Sequence, residues 1–227
     1  MRRDAMDYDI KFSERKSLGL TVERDRSVVV RAPLGTTLER IEKFVQANKH
    51  WIFEKQSHPQ KYRPPRPVKE FVSGESVLYL GRTYRLDIRD AEEAEVKLAG
   101  KLFVCGPRHA DLKTCFKEWF VERARLEILP RVELYAKSMG VAYNKIMISD
   151  MNYRWGSCTP NKTLNFNWRL IKAPMHVVDY VVVHELAHVL EHNHSPRFWQ
   201  HIRTQVPKFE SCKDWLKRHG GCLEYDF

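Results

Sequence analysis

Apolar and polar positions alternate first in LGLTVERD and RSVVVRAP, which flank a polar Asp25-Arg26 turn and end at Pro33, a pattern that predicts a β-hairpin. Behind it, Ile41, Phe44, Val45, Trp51 and Ile52 recur at helical spacing through about Lys55. Thr36 and Glu39 stand three apart as a capping box, so a helix is expected to pack on the hairpin. HPQKYRPPRP, residues 58–67, holds four prolines that exclude regular structure and reads as a stiff connector. After it VLYL, TYRLDI, VKLA and KLFVC form short apolar runs punctuated by Gly74, Gly81 and Gly100, which predicts an antiparallel sheet ending near Gly106-Pro107.

From Asp111 the period changes. Leu112, Cys115, Phe116, Trp119, Phe120, Leu126, Leu129, Val132, Tyr135 and Met139 fit one long amphipathic helix ending at Gly140, with Pro130 expected to kink or split it. KIMISDM and TLNFNWRL alternate about a TPNK turn, so residues 145–171 read as a small antiparallel sheet. Pro174 suits the first turn of a helix through Val177, Val178, Val181, Val182 and Val183. The order of elements predicts an α+β chain, with a β-rich N-terminal domain carrying one helix at 1–107 and a second domain at 108–227.

That last helix carries the chemistry, in VVVHELAHVLEHNHSPRFW. His184 and His188 are four apart and share a helix face, the spacing two zinc ligands need, while Glu185 is rotated by about 100° and can reach a water in the metal's open position. HExxH thus offers two ligands and a general base in a turn and a half. An unsatisfied polar cluster on so apolar a helix would be costly, which argues against a merely solvated face. His192 sits about 12 Å along the axis from His184 if the helix continues, too far for nitrogens that share one ion. His194 lies beyond Asn193, a residue that tolerates the left-handed conformation, and a chain turning there brings His194 back; Glu191 is the next candidate ligand. Ser195-Pro196 reads as the cap and first turn of a following helix whose Phe198, Trp199 and Ile202 pin His194.

Composition adds limits. Lysine plus arginine number 39 against 29 aspartate plus glutamate, a formal charge of +10, which draws the chain toward nucleic acid, nucleotides or acidic surfaces, or serves solubility alone. In KYRPPRPVK, Lys61, Arg63, Arg66 and Lys69 are candidates for contacting such a partner. Five scattered cysteines without a CxxC pair suggest neither a disulfide framework nor an all-cysteine zinc site, and the N-terminus has no apolar signal region. A soluble protein of the cytoplasm, without membrane partners, is the expectation.

The stretch from Tyr153 to Trp199 resembles the YgjP-like metallopeptidase domain, a relative of the SprT and WLM zinc metallopeptidases. Its RWGSC box, the N-x-RL pattern at Asn167 to Leu170, the YVVxHELAH helix and the HSxxFW ending match in order and spacing. The resemblance implies a zincin-like catalytic domain, Zn2+ held by His184, His188 and His194, and Glu185 as base. Glu191 stands where metzincins have a glycine and no methionine follows the site, so the chain is not assigned there. Arg154 has two readings, polarising a substrate carbonyl or phosphoryl oxygen, or capping a helix or bonding a carboxylate, with Trp155 and Cys158 as core. Asn167, Arg169 and Tyr180 read as structural.

The function implied is a zinc-dependent metallohydrolase acting on peptide or protein substrates. A second enzymatic reading, also implied by the resemblance, is a nucleoside triphosphate pyrophosphatase acting on UTP at the same metal; no GxxxxGK[ST] loop supports it. A nucleic-acid or protein binding module with a structural metal is the reading from another class, and it leaves Glu185 without a role.

Overall fold

The computed structural model describes residues 7–23, 26–57, 70–90, 95–106, 111–151 and 154–224. The connector at 58–67, with Lys61, Arg63 and Arg66, and also Asp25, Lys69 and Tyr153, lie outside the described residues. The chain divides into two compact units, residues 1–66 and 67–227.

The first unit contains strands β1 (Asp9–Ser13), β2 (Gly19–Val22) and β3 (Val28–Pro33), then helices α1 (Leu38–Ala47) and α2 (Lys49–Ser57). The predicted hairpin is there, β2 antiparallel to β3, and β1 adds a parallel strand on the other edge of β3. Val28, Val30 and Ala32 of β3 meet Ile41, Val45 and Ile52 of the helices in one core. Two details differ from expectation. The helical stretch breaks at Asn48, whose side chain donates to Phe44 O (2.8 Å). No capping box forms: Thr36 Oγ1 donates to Pro33 O and Thr37 holds the N-cap position.

The second unit opens with β4 (Ser76–Tyr79), β5 (Arg82–Asp90), β6 (Glu95–Ala99) and β7 (Lys101–Gly106), ordered β4-β5-β7-β6. This sheet is mixed, because β5 pairs with β7 in parallel. Leu80 and Gly81 both take positive φ, 48° and 74°, which turns β4 into β5 with the twist a two-residue hairpin needs. The turn is tied down: Leu80 N and Gly81 N donate to Ile171 O and Lys172 O, both 2.9 Å, and a Cβ on Gly81 would fall 2.6 Å from Pro174. The Tyr79 ring lies 5.2 Å from Trp119 and 6.0 Å from Phe120. Val77, Tyr79 and Leu86 therefore share a core with residues beyond 107, and the division falls at 66/67 instead of 107. A proline-rich stretch and a Gly-Pro turn look alike as boundaries in sequence; aromatic packing distinguishes them.

Helix α3 (Leu112–Met139) runs unbroken through Pro130, capped by Asp111, which accepts from Thr114 N, and ended by Gly140 at φ 65°. Its buried stripe is Phe116, Phe120, Ala124, Ile128, Val132 and Ala136, while Leu126, expected inside, is 54% exposed. Strands β8 (Lys145–Ser149), β9 (Gly156–Cys158) and β10 (Thr163–Asn167) form a sheet with β10 central. A hairpin does turn at Thr159–Lys162, but it joins β9 to β10; KIMISDM, expected to pair antiparallel with TLNFNWRL across that turn, supplies β8, which runs parallel to β10, so this sheet too is mixed and not antiparallel. A 3₁₀ turn (Trp168–Lys172) leads to α4 (Met175–Leu190), α5 (Pro196–Gln205) and α6 (Phe209–Leu223). The whole chain is thus α+β.

Helix α4 is apolar nearly all round: Val177, Val178, Val182, Val183, Leu186 and Ala187 are fully buried. So many β-branched residues form a weak helix in isolation, and burial at the centre of the unit overrides that propensity. Among the described residues no helix is long and apolar enough to cross a membrane.

Candidate metal centre

A buried helix leaves few places for polar groups, and α4 concentrates them at its C-terminal end. His184 and His188 project from one face. The helix then stops at Leu190, and Glu191 is extended at φ −133°, ψ 111°. This extended residue, and not a left-handed Asn193, redirects the chain. Ser195 Oγ accepts from Phe198 N (3.2 Å) and starts α5, which fixes the far side of the loop. His194 is carried back between these two anchors.

The nitrogens that His184, His188 and His194 offer all lie within 4.8 Å of one another. His184 Nε2 and His194 Nε2 are 3.3 Å apart. Two nitrogens bound to one tetrahedral zinc at ~2.05 Å would be ~3.4 Å apart. Among the described residues no fourth histidine, cysteine or carboxylate completes this group; His192 is exposed and outside it.

Two of the imidazoles, His184 and His188, are prepared as neutral donors. His188 Nδ1 faces Glu191 O at 3.2 Å. A carbonyl only accepts, so Nδ1 carries the proton and Nε2 keeps its lone pair. Burial, then the neighbouring His188, His194 and Lys213, hold His184 down to about 3, so it stays unprotonated. Burial also lowers His188 against the pull of the Glu191 carbonyl. His184 Nδ1 is buried without a hydrogen-bond partner.

Phe198, fully buried, forms the floor. Its ring centroid lies 5.0 Å from His184, 4.6 Å from His188 and 4.7 Å from His194. Trp199 stacks beside His194 at 5.6 Å.

Glu185 is 6% exposed, and burial pushes its carboxyl up to about 8, with Arg154 pulling the other way. Against it lies β9. A Cβ on Gly156 would sit 2.6 Å from both Glu185 Cγ and Oε1, so any larger residue there requires the carboxyl or β9 to shift. Cys158, two residues on, has its thiol raised by burial and by Glu185. Arg154 is exposed and among the described residues has no ion-pair partner. Trp155 is half-buried, and Gly220 of α6 would place a Cβ 3.4 Å from its ring.

These features have a family context, which the sequence match supplies. The model of the YgjP-like metallopeptidase domain matches residues 16–219. The chain belongs to this family. Curated proteins give no match. Among solved structures this YgjP-like chain is similar to the metallopeptidase zymogen of Pyrococcus abyssi abylysin, 18% identical over 44% of this chain and 98% of that one, with a TM-score of 0.38. It is also similar to the metallopeptidase zymogen of Methanocaldococcus jannaschii jannalysin, 21% identical over 37% of this chain and 90% of that one, with a TM-score of 0.32.

Of the positions singled out in the YgjP-like sequence, His184, His188 and His194 come together with Glu185 alongside. Arg154 reaches Glu185 only electrostatically. Glu191 contributes its carbonyl to His188 while its carboxylate pairs with Arg197 (3.5 Å), outside the donor group. Arg169 is buried and paired with Asp150, and Tyr180 is buried with its hydroxyl pushed up to about 12, mainly by burial. Gly156 and the Glu191 carbonyl went unnoticed in sequence. The glycine's position two residues after Arg154 in RWGSC was visible; its closeness to Glu185 depends on the fold.

Proposed function

We propose that the chain is a zinc-dependent metallopeptidase, with His184, His188 and His194 holding the ion and Glu185 acting as general base. The observation that carries this reading is the convergence of three imidazole donors within 4.8 Å, next to one buried carboxyl. The donor set fits zinc: three nitrogens, a 3.3 Å spacing between two of them, and, among the described residues, no fourth protein ligand, which leaves a position for water or substrate. Zinc bound there supplies a Lewis acid that polarises a carbonyl and acidifies a water.

The remaining work belongs to the chain. Glu185 Oε accepts the proton of the attacking water and returns it to the leaving amine, a role open to a carboxyl whose pKa stands near neutrality. Gly156 leaves the carboxyl room, and Phe198 keeps water from beneath the imidazoles. Arg154, exposed and close enough to stabilise the Glu185 anion, is assigned the substrate oxygen that develops negative charge.

The test is a metal analysis of purified protein combined with parallel assays on unfolded casein and on a panel of nucleoside triphosphates including UTP. One zinc per chain and cleavage of casein, abolished in Glu185→Gln with the zinc retained, is the expected result. Hydrolysis of UTP without any peptide cleavage would replace the peptidase reading by the pyrophosphatase one. Zinc retained with neither activity would leave a structural metal.

A further inference from the structure

Asn167, the last residue of β10, is 2% exposed and uses its whole amide. Nδ2 donates to Met151 O (2.8 Å) and Arg154 O (3.1 Å), and Oδ1 accepts from Arg169 N (3.1 Å). Its backbone N donates to Trp155 O (2.9 Å). Asn165, two residues earlier on β10, donates to Met151 Sδ (3.4 Å), and its Oδ1 accepts from Ser149 Oγ (2.8 Å). Three of the acceptors are main-chain carbonyls of Met151, Arg154 and Trp155. Only a side-chain amide offers two N–H donors and one acceptor on so short a stem; a serine has one donor, and an aspartate would turn lone pairs toward two carbonyls.

What this clasp holds is the approach to Glu185. Arg154 is the cation acting on the carboxyl, and Gly156 is the backbone in close contact with it. Main-chain anchors thus fall at Arg154 and Trp155, immediately before the glycine. Asn167 is bonded to β9's approach and to the 3₁₀ turn, with no bond of its own to Glu185. Its bonds to the carbonyls of Arg154 and Trp155 put its influence on the carboxyl through residues 154–156.

We propose that Asn167, supported by Asn165, is a positioning residue for the base: it sets where Arg154 and the Gly156 backbone meet Glu185, and so governs the rate of the chemical step. The proposal rests on the reading of Glu185 as general base. A misplacement of ~1 Å around a reacting group can cost ~100-fold in rate, and a clasp of main-chain hydrogen bonds is the means to prevent it.

The experiment compares Asn167→Asp, Asn165→Ala and Glu185→Gln with wild type, on unfolded casein, with zinc content measured for each. For Asn167→Asp the expected result is one zinc per chain, KM within about 3-fold, and kcat per zinc-loaded molecule down by about 100-fold. In the metal-free protein, hydrogen exchange of the Gly156–Cys158 amides should quicken by at least roughly 10-fold while α4 amides keep their protection. Asn165→Ala, which leaves the carbonyl anchors in place, should lose about 3- to 10-fold in kcat and serves if Asn167→Asp fails to fold. A native kcat in the zinc-loaded Asn167→Asp protein, or in Asn165→Ala where the former does not fold, overturns the proposal. If that happens while Glu185→Gln is inactive, the base assignment stands and only the positioning role is lost; an active Glu185→Gln removes both.

Discussion

At the scale of single residues, the ligand question turns on two histidines two positions apart. His194 belongs to the donor group and His192 is exposed outside it. His194→Ala is expected to lose most of its zinc on dialysis, and His192→Ala to keep one equivalent, as read by elemental analysis of the dialysed proteins. The reverse pattern would overturn the assignment. Gly156 gives a sharper steric test. A methyl group placed 2.6 Å from Glu185 Cγ and Oε1 forces the carboxyl or β9 to move. Gly156→Ala is expected to cost ~1–3 kcal/mol in stability, the range for overpacking a filled site. Its casein-cleaving activity should fall by about 100-fold with zinc retained, because the displaced group is the proposed base. Native turnover would detach Glu185 from the reaction.

Among elements, helices were more legible in sequence than strand partners, for a physical reason. The 3.6-residue period, Asp111 and Gly140 marked both ends of α3, and the HExxH spacing with the Ser195-Pro196 start placed the site helix and its successor. Alternation along a strand reveals its faces but not its neighbour or direction. The parallel pairs β1–β3, β5–β7 and β8–β10 were therefore invisible, and with them the contact of Gly156 with Glu185. The turn at Glu191 was missed for a similar reason: extended backbone is open to every residue and leaves no compositional mark.

Asp150, just past β8, shows what holds such elements together. It pairs with Lys117 of α3 (2.9 Å) and with the buried Arg169 of the 3₁₀ turn. Burial works to raise its pKa, but the hydrogen bonds and charges of Arg169 and Lys117 prevail and bring it from 3.8 to about 2. Its side chain is 42% exposed, so the ~2.4 kcal/mol implied by that shift reduces to about 1 kcal/mol after solvent screening. A folded-state pKa below the unfolded value gives stability that is present above about pH 4 and fades as pH falls from about 4 toward 2. Asp150→Asn is expected to melt about 2–4 °C below wild type at pH 7, with the difference shrinking below pH 4. An equal difference at pH 3 and pH 7 would show that this ion pair does not contribute through charge.

For the whole molecule, the two cores have no residue in common, one built on β3, α1 and α2, the other on α3, α4 and their sheets. The donor group, Glu185 and the clasp at Asn167 all belong to the second. A fragment of residues 67–227 is expected to unfold cooperatively and bind one zinc, measured by calorimetry and metal titration; a fragment that unfolds cooperatively yet binds none would overturn the assignment of the donor group as the metal site. Within that second unit, Phe198 has a bearing on the order of events in biosynthesis. One apolar ring packs against all three imidazoles, and the helix that holds it buries Phe198 and Ile202 in the large hydrocarbon core of the unit. The pocket is thus assembled by hydrocarbon packing, unlike a zinc finger, whose chain collapses around its ion. Newly made protein can finish folding first and collect its metal from the cell's exchangeable supply afterwards. Stripping with a chelator should then give a chain that still melts in a single sharp transition and regains its zinc without being unfolded.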